Sequence, residues 1–447
     1  MEEVAIVCSN KDNSSLGGIA VVDIRTGSNM CSNFKNCVTE PNGVCVVGGT
    51  SGYSGVGCSS GDYIVACQAA KPIINVWQWG KAQVHYTCHV QEISTSVVCD
   101  PCGTYLIAGT KKGWLYCWEL STGNLLYSWQ GHFKSITKLM FSGCGNYCIS
   151  SSEDGAIKVW ELATIIGDFN SGSLKRQMIQ PYRSWNPHTL AIKDFTVIGV
   201  VSTFRVVSCS IDKTIVMFDV HSNKQCYRAA FPQPLESLCV NVSQDIVFSG
   251  ASNGDIYLLD LSIAAIGISA AHAKIIVQDN IHSNGYKNSN DSQSTNTITM
   301  SGHTRAVTAL AASIDNNTIV SVSMDGSMRV WDILSRQCLK DIKPLNKMAL
   351  TNIKIILKPE HILTGVTKTT LTPFEHLKKY TDTASGNKVT LSSRLLGSIP
   401  DSVSNRAAKH KIHHTMKVNV QGLSNDLAIT QDDTIDSEES VGKKVKV

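Results

Sequence analysis

Residues 131–162 read GHFKSITKLMFSGCGNYCISSSEDGAIKVWEL, which sets a histidine, several serines and an aspartate within one short run. A nucleophile, a base and an orienting acid are assembled by geometry rather than by nearness in sequence, so the run alone is weak evidence for a hydrolase. Whether it occurs once or many times is the more decisive question.

It recurs. Residues 302–333 read GHTRAVTALAASIDNNTIVSVSMDGSMRVWDI, and His303 to Asp325 spans 22 positions while Asp325 to Trp331 spans 6, the same spacings as His132, Asp154 and Trp160. A third copy runs from His188 through SCSIDKTIVMFDV, with Asp212 six positions before Phe218 but 24 after the histidine, as if two residues were inserted. Weaker copies keep only a last strand: GIAVVDIRTG (18–27), IINVWQW (73–79), GWLYCWELSTG (113–123) and GDIYLLDLS (254–262). Aligning Val22, Trp77, Trp118, Trp160, Phe218, Leu259 and Trp331 gives seven copies separated by 55, 41, 42, 58, 41 and 72 residues. Three of the gaps match the roughly 40–45 residue period of a four-stranded propeller blade, and the others need insertions. Runs such as YCISSS and AIKVWEL between Gly, Asp and Asn turns have strand chemistry rather than a helical period.

With GH at 131 and 302 and WE or WD at 118, 160 and 331, the chain resembles the WD-repeat family over roughly residues 1–357. The resemblance implies an all-β fold, a seven-bladed WD-repeat β-propeller with a largely irregular C-terminal tail. It also implies a buried hydrogen-bonded set in each strong blade: His132, Ser150 or Ser152, Asp154 and Trp160; His303, Ser321, Asp325 and Trp331; His188, Ser208 and Asp212. Ser150 and Ser152 lie two apart on one strand face, so the sequence does not choose between them. Buried carboxylates and indole N–H groups need partners, which gives these residues a structural use; a catalytic triad would not be expected to recur in two further blades.

The first copy lacks its opening strand, whereas MALTNIKIIL (348–357) is a spare one with alternating apolar residues. The expected arrangement is a propeller over 1–357 whose first blade is completed by 348–357, since an open ring exposes unpaired edges. Insertions fall at 164–187 and 264–300. The first carries aromatic and basic residues and suits either a contact surface or an excursion packed by its own Tyr182 and Trp185. The second, rich in Ser and Asn over 282–300, has too few apolar residues to offset ordering entropy. Residues 358–447 form a C-terminal extension expected to be disordered beyond about 381. Its 404–417 stretch is basic, its 426–439 stretch acidic, and blocks of one sign suggest an interaction tail.

Sixteen cysteines would suit a secreted disulfide scaffold, but MEEVAIVCSNKDN has no signal-peptide pattern, and no stretch has the apolar length of a membrane span. A net charge of +4 demands neither nucleic acid nor membrane as a partner. Cys99 and Cys102 form a lone C-x-x-C without a second pair at zinc spacing, and GGTSGYSGVGCSSGD (48–62) lacks the Gly-Lys-Ser/Thr ending of a phosphate loop. No metal and no cofactor is expected.

The order of strong and weak blades, the late Trp and His before SCSIDKTIVMFDV, and LTPFEHLKKY (371–380) beyond the propeller together resemble the family of WD-repeat subunits of the rixosome, a nuclear complex maturing the large ribosomal subunit precursor. That resemblance implies a non-enzymatic scaffold in the nucleus. Its implied partners are a large helical-repeat subunit and pre-ribosomal particles, with RNA near the basic tail and no membrane. Candidate partner contacts are Trp185, Phe374, Lys378 and Tyr380. The family's long C-terminal heptad helix is not evident in 381–447, which Gly386, Pro400 and Gly422 interrupt, so homodimerisation by that route is not implied. The competing readings are another WD scaffold, such as a ubiquitin-ligase substrate receptor, and an enzyme using His132, Ser150 and Asp154.

Overall fold

A computed structural model describes residues 2–358 apart from 11–16, 31–33, 36, 48–60, 80, 82, 171–178, 201–202, 262–297 and 345–347, and also describes 373–380. Its strands, numbered β1 to β28 along the chain, form seven four-stranded antiparallel sheets, so the seven-bladed propeller expected from the repeat is the fold observed. Val22, Trp77, Trp118, Trp160, Phe218, Leu259 and Trp331 all fall on the third strand of their blades. Three of the spacings fall at 41 or 42 because each blade repeats one meander, and on its third strand Trp77, Trp118 and Trp160 are among the largest fully buried side chains.

The first strands of the blades touch in turn around the ring: β4 (Val44–Val47), β8 (Ser94–Cys99), β12 (Ile136–Phe141), β16 (Ile192–Val200), β20 (Leu235–Val240), β24 (Val307–Ala312) and β28 (Leu350–Leu357). Hydroxyls tie several of these strands to the next. Thr95 Oγ1 donates to the Ile136 carbonyl at 2.6 Å, Ser237 Oγ to that of Val307 at 2.9 Å, and Thr308 Oγ1 to that of Leu350 at 2.7 Å. Asp194 does the same with charge. It takes Lys138 Nζ of the preceding blade at 2.5 Å and the Leu238 N–H of the following blade at 2.9 Å, joining three blades at one carboxylate.

Blade one is built from both ends of the ring. β28 pairs antiparallel with β1 (Glu3–Ser9), matching Val4 to Ile356 and Val7 to Ile353, and β2 (Gly18–Asp23) and β3 (Phe34–Lys35) complete the sheet. Leu350, Ile353, Ile355 and Ile356 are buried. On the far side of the strand, Asn352 Nδ2 donates to the Glu40 carbonyl at 2.7 Å and its Oδ1 accepts the Asn42 N–H, which fastens β28 to the chain entering blade two.

The stretch 164–187 is not an independent excursion. Its start continues a short helix α1 (Leu162–Asn170), whose Leu162, Ile165 and Ile166 are buried against β14 (Ile157–Glu161) and β11 (Leu125–Gln130), and its end supplies β15 (Arg183–Trp185), the outer strand of the fourth blade. The two residues inserted in the His188 copy lengthen the hairpin of β16 and β17 (Thr203–Ser210), because His188 still stands four residues before its first strand, as His132 does. The expected mobile loop within 264–300 falls almost wholly outside the described residues, as do the Gly-rich 48–60 and the basic and acidic tracts beyond 381.

Candidate functional site

Three polar chains stand where the repeats place them. In the fourth blade, the His132 ring lies 3.1 Å from Asp154 Oδ2 through Nδ1 and 2.8 Å from Ser150 Oγ through Nε2; Trp160 Nε1 reaches the same hydroxyl at 2.8 Å. The direction of the chain follows from what each group is able to do. The indole only donates and the carboxylate only accepts, so Trp160 donates to Ser150, Ser150 to His132 Nε2, and His132 Nδ1–H to Asp154. Ser152 stands apart from this chain: its hydroxyl donates to the Lys134 carbonyl at 3.3 Å and accepts the Asp154 N–H at 3.2 Å. The seventh blade repeats the arrangement with Trp331, Ser321, His303 and Asp325, and Ser327 adds a further hydroxyl to Asp325. The fifth keeps His188, Ser208 and Asp212, with Ser208 Oγ 2.8 Å from His188 Nε2, but Phe218, which has no N–H, replaces the indole.

These imidazoles are neutral. Burial lowers the pKa of His132, His188 and His303 below the ordinary 6.5, outweighing the pull of the carboxylate beside each. For Asp154 and Asp325 burial acts upward, but hydrogen bonds prevail, chiefly from His132 to Asp154 and from Ser327 to Asp325, and hold each carboxyl at about 2. The two effects act over different pH ranges. As pH falls through 6.5 the unfolded chain takes up imidazole protons that the folded chain refuses, so the stability due to the histidines is complete above that value and lost below it. The aspartate contribution is complete above about 4 and is lost only as pH falls toward 2. The midpoint of thermal unfolding is therefore expected to drop between pH 7.5 and 5.5, and by less in His188→Gln than in the natural chain; equal midpoints at the two pH values would contradict the neutral assignment.

The other candidates divide. Trp185, expected as a partner contact, is 8% exposed; its ring stacks on Phe218 at 5.1 Å and its Nε1 donates to Asn223 at 2.7 Å, so it seals blade four to blade five instead. Phe374 is likewise turned inward, 5% exposed, with its ring 5.2 Å from Tyr63 and 6.2 Å from Tyr86. Together with buried Leu377 it anchors residues 373–380 across blades two and three. The Glu375 N–H donates to the Leu120 carbonyl and the Lys378 N–H to that of Gly123, both at 2.8 Å. The strap also solves a problem in the third blade. Ten residues before Trp118 stands Ala108, where Trp160 has Ser150, and Trp118 Nε1 donates at 2.9 Å to the Lys378 carbonyl instead. Gly123 admits the strap because it has no side chain: a Cβ there would stand 2.2 Å from the His376 carbonyl oxygen, and its φ of +68° already favours glycine. Of the candidate contacts, Lys378 and Tyr380 are exposed, Tyr380 at 65%.

Sequence reasoning missed the Lys138–Asp194 pair and the exposed Phe133. The pair joins residues 56 apart on different blades and leaves no local pattern. Phe133 is 85% exposed, and the repeat spacing says nothing of the position after the histidine. Among the described residues no group of three His, Cys, Asp or Glu side chains is placed to hold a metal, and burial and the neighbouring Asp100 carboxylate push the Cys99 thiol well up from its ordinary value.

Comparison with known proteins agrees with the ring. The family model "WD domain, G-beta repeat" matches residues 123–161 and 294–332, the two strongest copies. The Pre-rRNA-processing protein IPI3 of Yarrowia lipolytica is 29% identical over 350 residues, covering 77% of this chain and 73% of the relative. WD repeat-containing protein 18 of Mus musculus is 27% identical over 334 residues, 74% of this chain and 71% of the relative. Protein ROOT INITIATION DEFECTIVE 3 of Arabidopsis thaliana is 26% identical over 360 residues, 80% and 73%. The chain thus carries WD repeats on a seven-bladed β-propeller, with the indole, hydroxyl, imidazole and carboxylate chain intact in two blades, and over most of its length it is similar to relatives named for pre-rRNA processing.

Proposed function

We propose that the chain is a non-catalytic scaffold in the processing of precursor ribosomal RNA, acting in the nucleus on the large-subunit precursor. The observation that carries this reading is the extent of the likeness to relatives named for pre-rRNA processing. It runs for 350 residues, through weak blades as well as strong ones, and so exceeds the short motif that unrelated WD proteins share. The site chemistry favours a scaffold over a hydrolase. Ser150 is fully buried, donates to His132 and accepts from Trp160, which leaves its oxygen no approach for a substrate.

The partners proposed are a large helical-repeat protein and pre-ribosomal particles, with Lys378 and Tyr380 the exposed candidates for contact beside the strap. Affinity purification of the tagged full chain tests this. The expected result is recovery of a helical-repeat protein together with precursor large-subunit RNA. A clean preparation lacking both defeats the proposal, and recovery of a cullin-type ligase in their place turns it toward a ubiquitin-ligase substrate receptor.

A further inference from the structure

The fastening in the fourth blade does more than satisfy buried groups, because it fixes what stands outside it. Asp154 Oδ2 accepts the Phe133 N–H at 3.3 Å, as Asp212 accepts that of Thr189 at 3.3 Å and Asp325 that of Thr304 at 3.1 Å. The residue after each histidine is thereby held by its backbone with its side chain outward. Two of these slots carry exposed threonines, so the clamp itself asks for no aromatic ring. The third carries Phe133, at 85% the most exposed aromatic among the large apolar side chains that reach solvent.

Its surroundings are basic. The turn Lys111, Lys112, Gly113 packs directly on this segment: a Cβ on Gly113 would stand 2.1 Å from the His132 carbonyl oxygen and 2.9 Å from that of Lys134. The N–H groups of Gly131 and His132 both donate to the Gly113 carbonyl at 3.0 Å, so the spacing between turn and ring is fixed. Lys111, Lys112 and Lys134 are exposed, and Lys158 Nζ lies 5.9 Å from the Phe133 ring while donating to the Gly131 carbonyl. The acids nearby are Asp154, which holds the Phe133 N–H and His132, Glu92, which pairs with Lys112 at 3.1 Å, and exposed Glu153.

We propose that Phe133 and the lysines around it form a binding site for single-stranded RNA, with a base stacked on the ring and the flanking phosphates met by Lys111, Lys112 and Lys134. An exposed π-face among point charges is the combination that holds single strands without reading sequence. An acidic peptide would satisfy the lysines equally, but it would want a pocket for an apolar side chain, whereas a base needs only the exposed face of the ring. The choice of RNA as the polymer rests on the pre-rRNA reading; the geometry of the site does not.

The test uses the purified full chain and a mixed-sequence 12-nucleotide RNA carrying 4-thiouridine, followed by fluorescence anisotropy and by photo-crosslinking. Phe133→Ala is expected to weaken binding by about 5-fold to 100-fold. The double variant Lys112→Ala and Lys134→Ala should reduce the slope of log affinity against log salt by about 1.4, from about 0.7 per phosphate contact. Crosslinks should fall on the peptide containing Phe133. All of these side chains are exposed, so unchanged unfolding midpoints should accompany the losses. Crosslinks confined to the basic stretch 404–417, a less than twofold effect of Phe133→Ala, or tighter binding of an acidic leucine-containing peptide with the same residue dependence would each overturn the proposal. Because the assay needs no cellular partner, its failure leaves the affinity purification free to succeed, and the reverse.

Discussion

A chain ending at residue 347 should fail to give a folded propeller. Such a chain lacks the strap at 373–380 as well as the last strand of the ring, and that strand, the innermost member of blade one, is the larger loss. β1 would keep β2 but lose its inner partner along its whole length, from Glu3 opposite Leu357 to Ser9 opposite Leu350. Burial of Leu350, Ile353, Ile355 and Ile356 would go with it, at about 1.5–3 kcal/mol for each side chain. Set against a net stability of about 5–15 kcal/mol for an ordinary domain, that loss is enough to unfold the ring. The exposed face of β1, with buried Val4, Ile6 and Cys8 on one side and Ala5 and Val7 on the other, would also be an unpaired apolar edge. Soluble yield and amide protection in β1 and β2 measure the effect. A soluble 1–347 chain with the full-length unfolding midpoint would show that β28 is dispensable, and a peptide of residues 348–358 added in trans should restore part of the protection.

Ser150→Ala is expected to cost about 2–6 kcal/mol, more than its single lost hydroxyl suggests. The substitution leaves two buried groups without partners, His132 Nε2 and the Trp160 N–H, at about 1–3 kcal/mol each. Ser152→Ala, two residues along the same face, removes one bond to a backbone carbonyl and one from a backbone N–H, and should cost about 1 kcal/mol. Denaturant unfolding of the two variants compares them directly. Equal costs would mean that Ser152 shares the fastening; an intact midpoint in Ser150→Ala with loss of a hydrolytic activity would revive the enzymatic reading.

The sequence disclosed the ring because the fastenings need fixed distances. His to Asp at 22 and Asp to Trp at 6 recur in two blades since both span the same strands and turn, and the third copy stayed legible by its Asp212 to Phe218 step although its hairpin had grown. Ser150 and Ser152 were indistinguishable for the reason that strand periodicity is two. What stayed hidden depends on distance in the chain. Trp185 looked free because its outer strand is only three residues long, and nothing near it in sequence announces Phe218 or Asn223. The strap at 373–380 meets Trp118 across about 260 residues, so the carbonyl that stands in for the serine absent at Ala108 had no local sign. Ile165 and Ile166 form too short an apolar pair to mark a helix against the polar residues that follow.

Completion of blade one by β28 also sets a schedule. During synthesis six blades are able to assemble in order as they emerge, each on the one before, while β1 waits with an open side for a strand about 340 residues later. The Lys358 N–H then donates to the Glu2 carbonyl at 3.0 Å, joining the earliest part of the ring to the last. Closure thus waits until residues 348–358 have emerged, and a nascent chain cut short before that strand presents a sticky flank to the quality-control machinery.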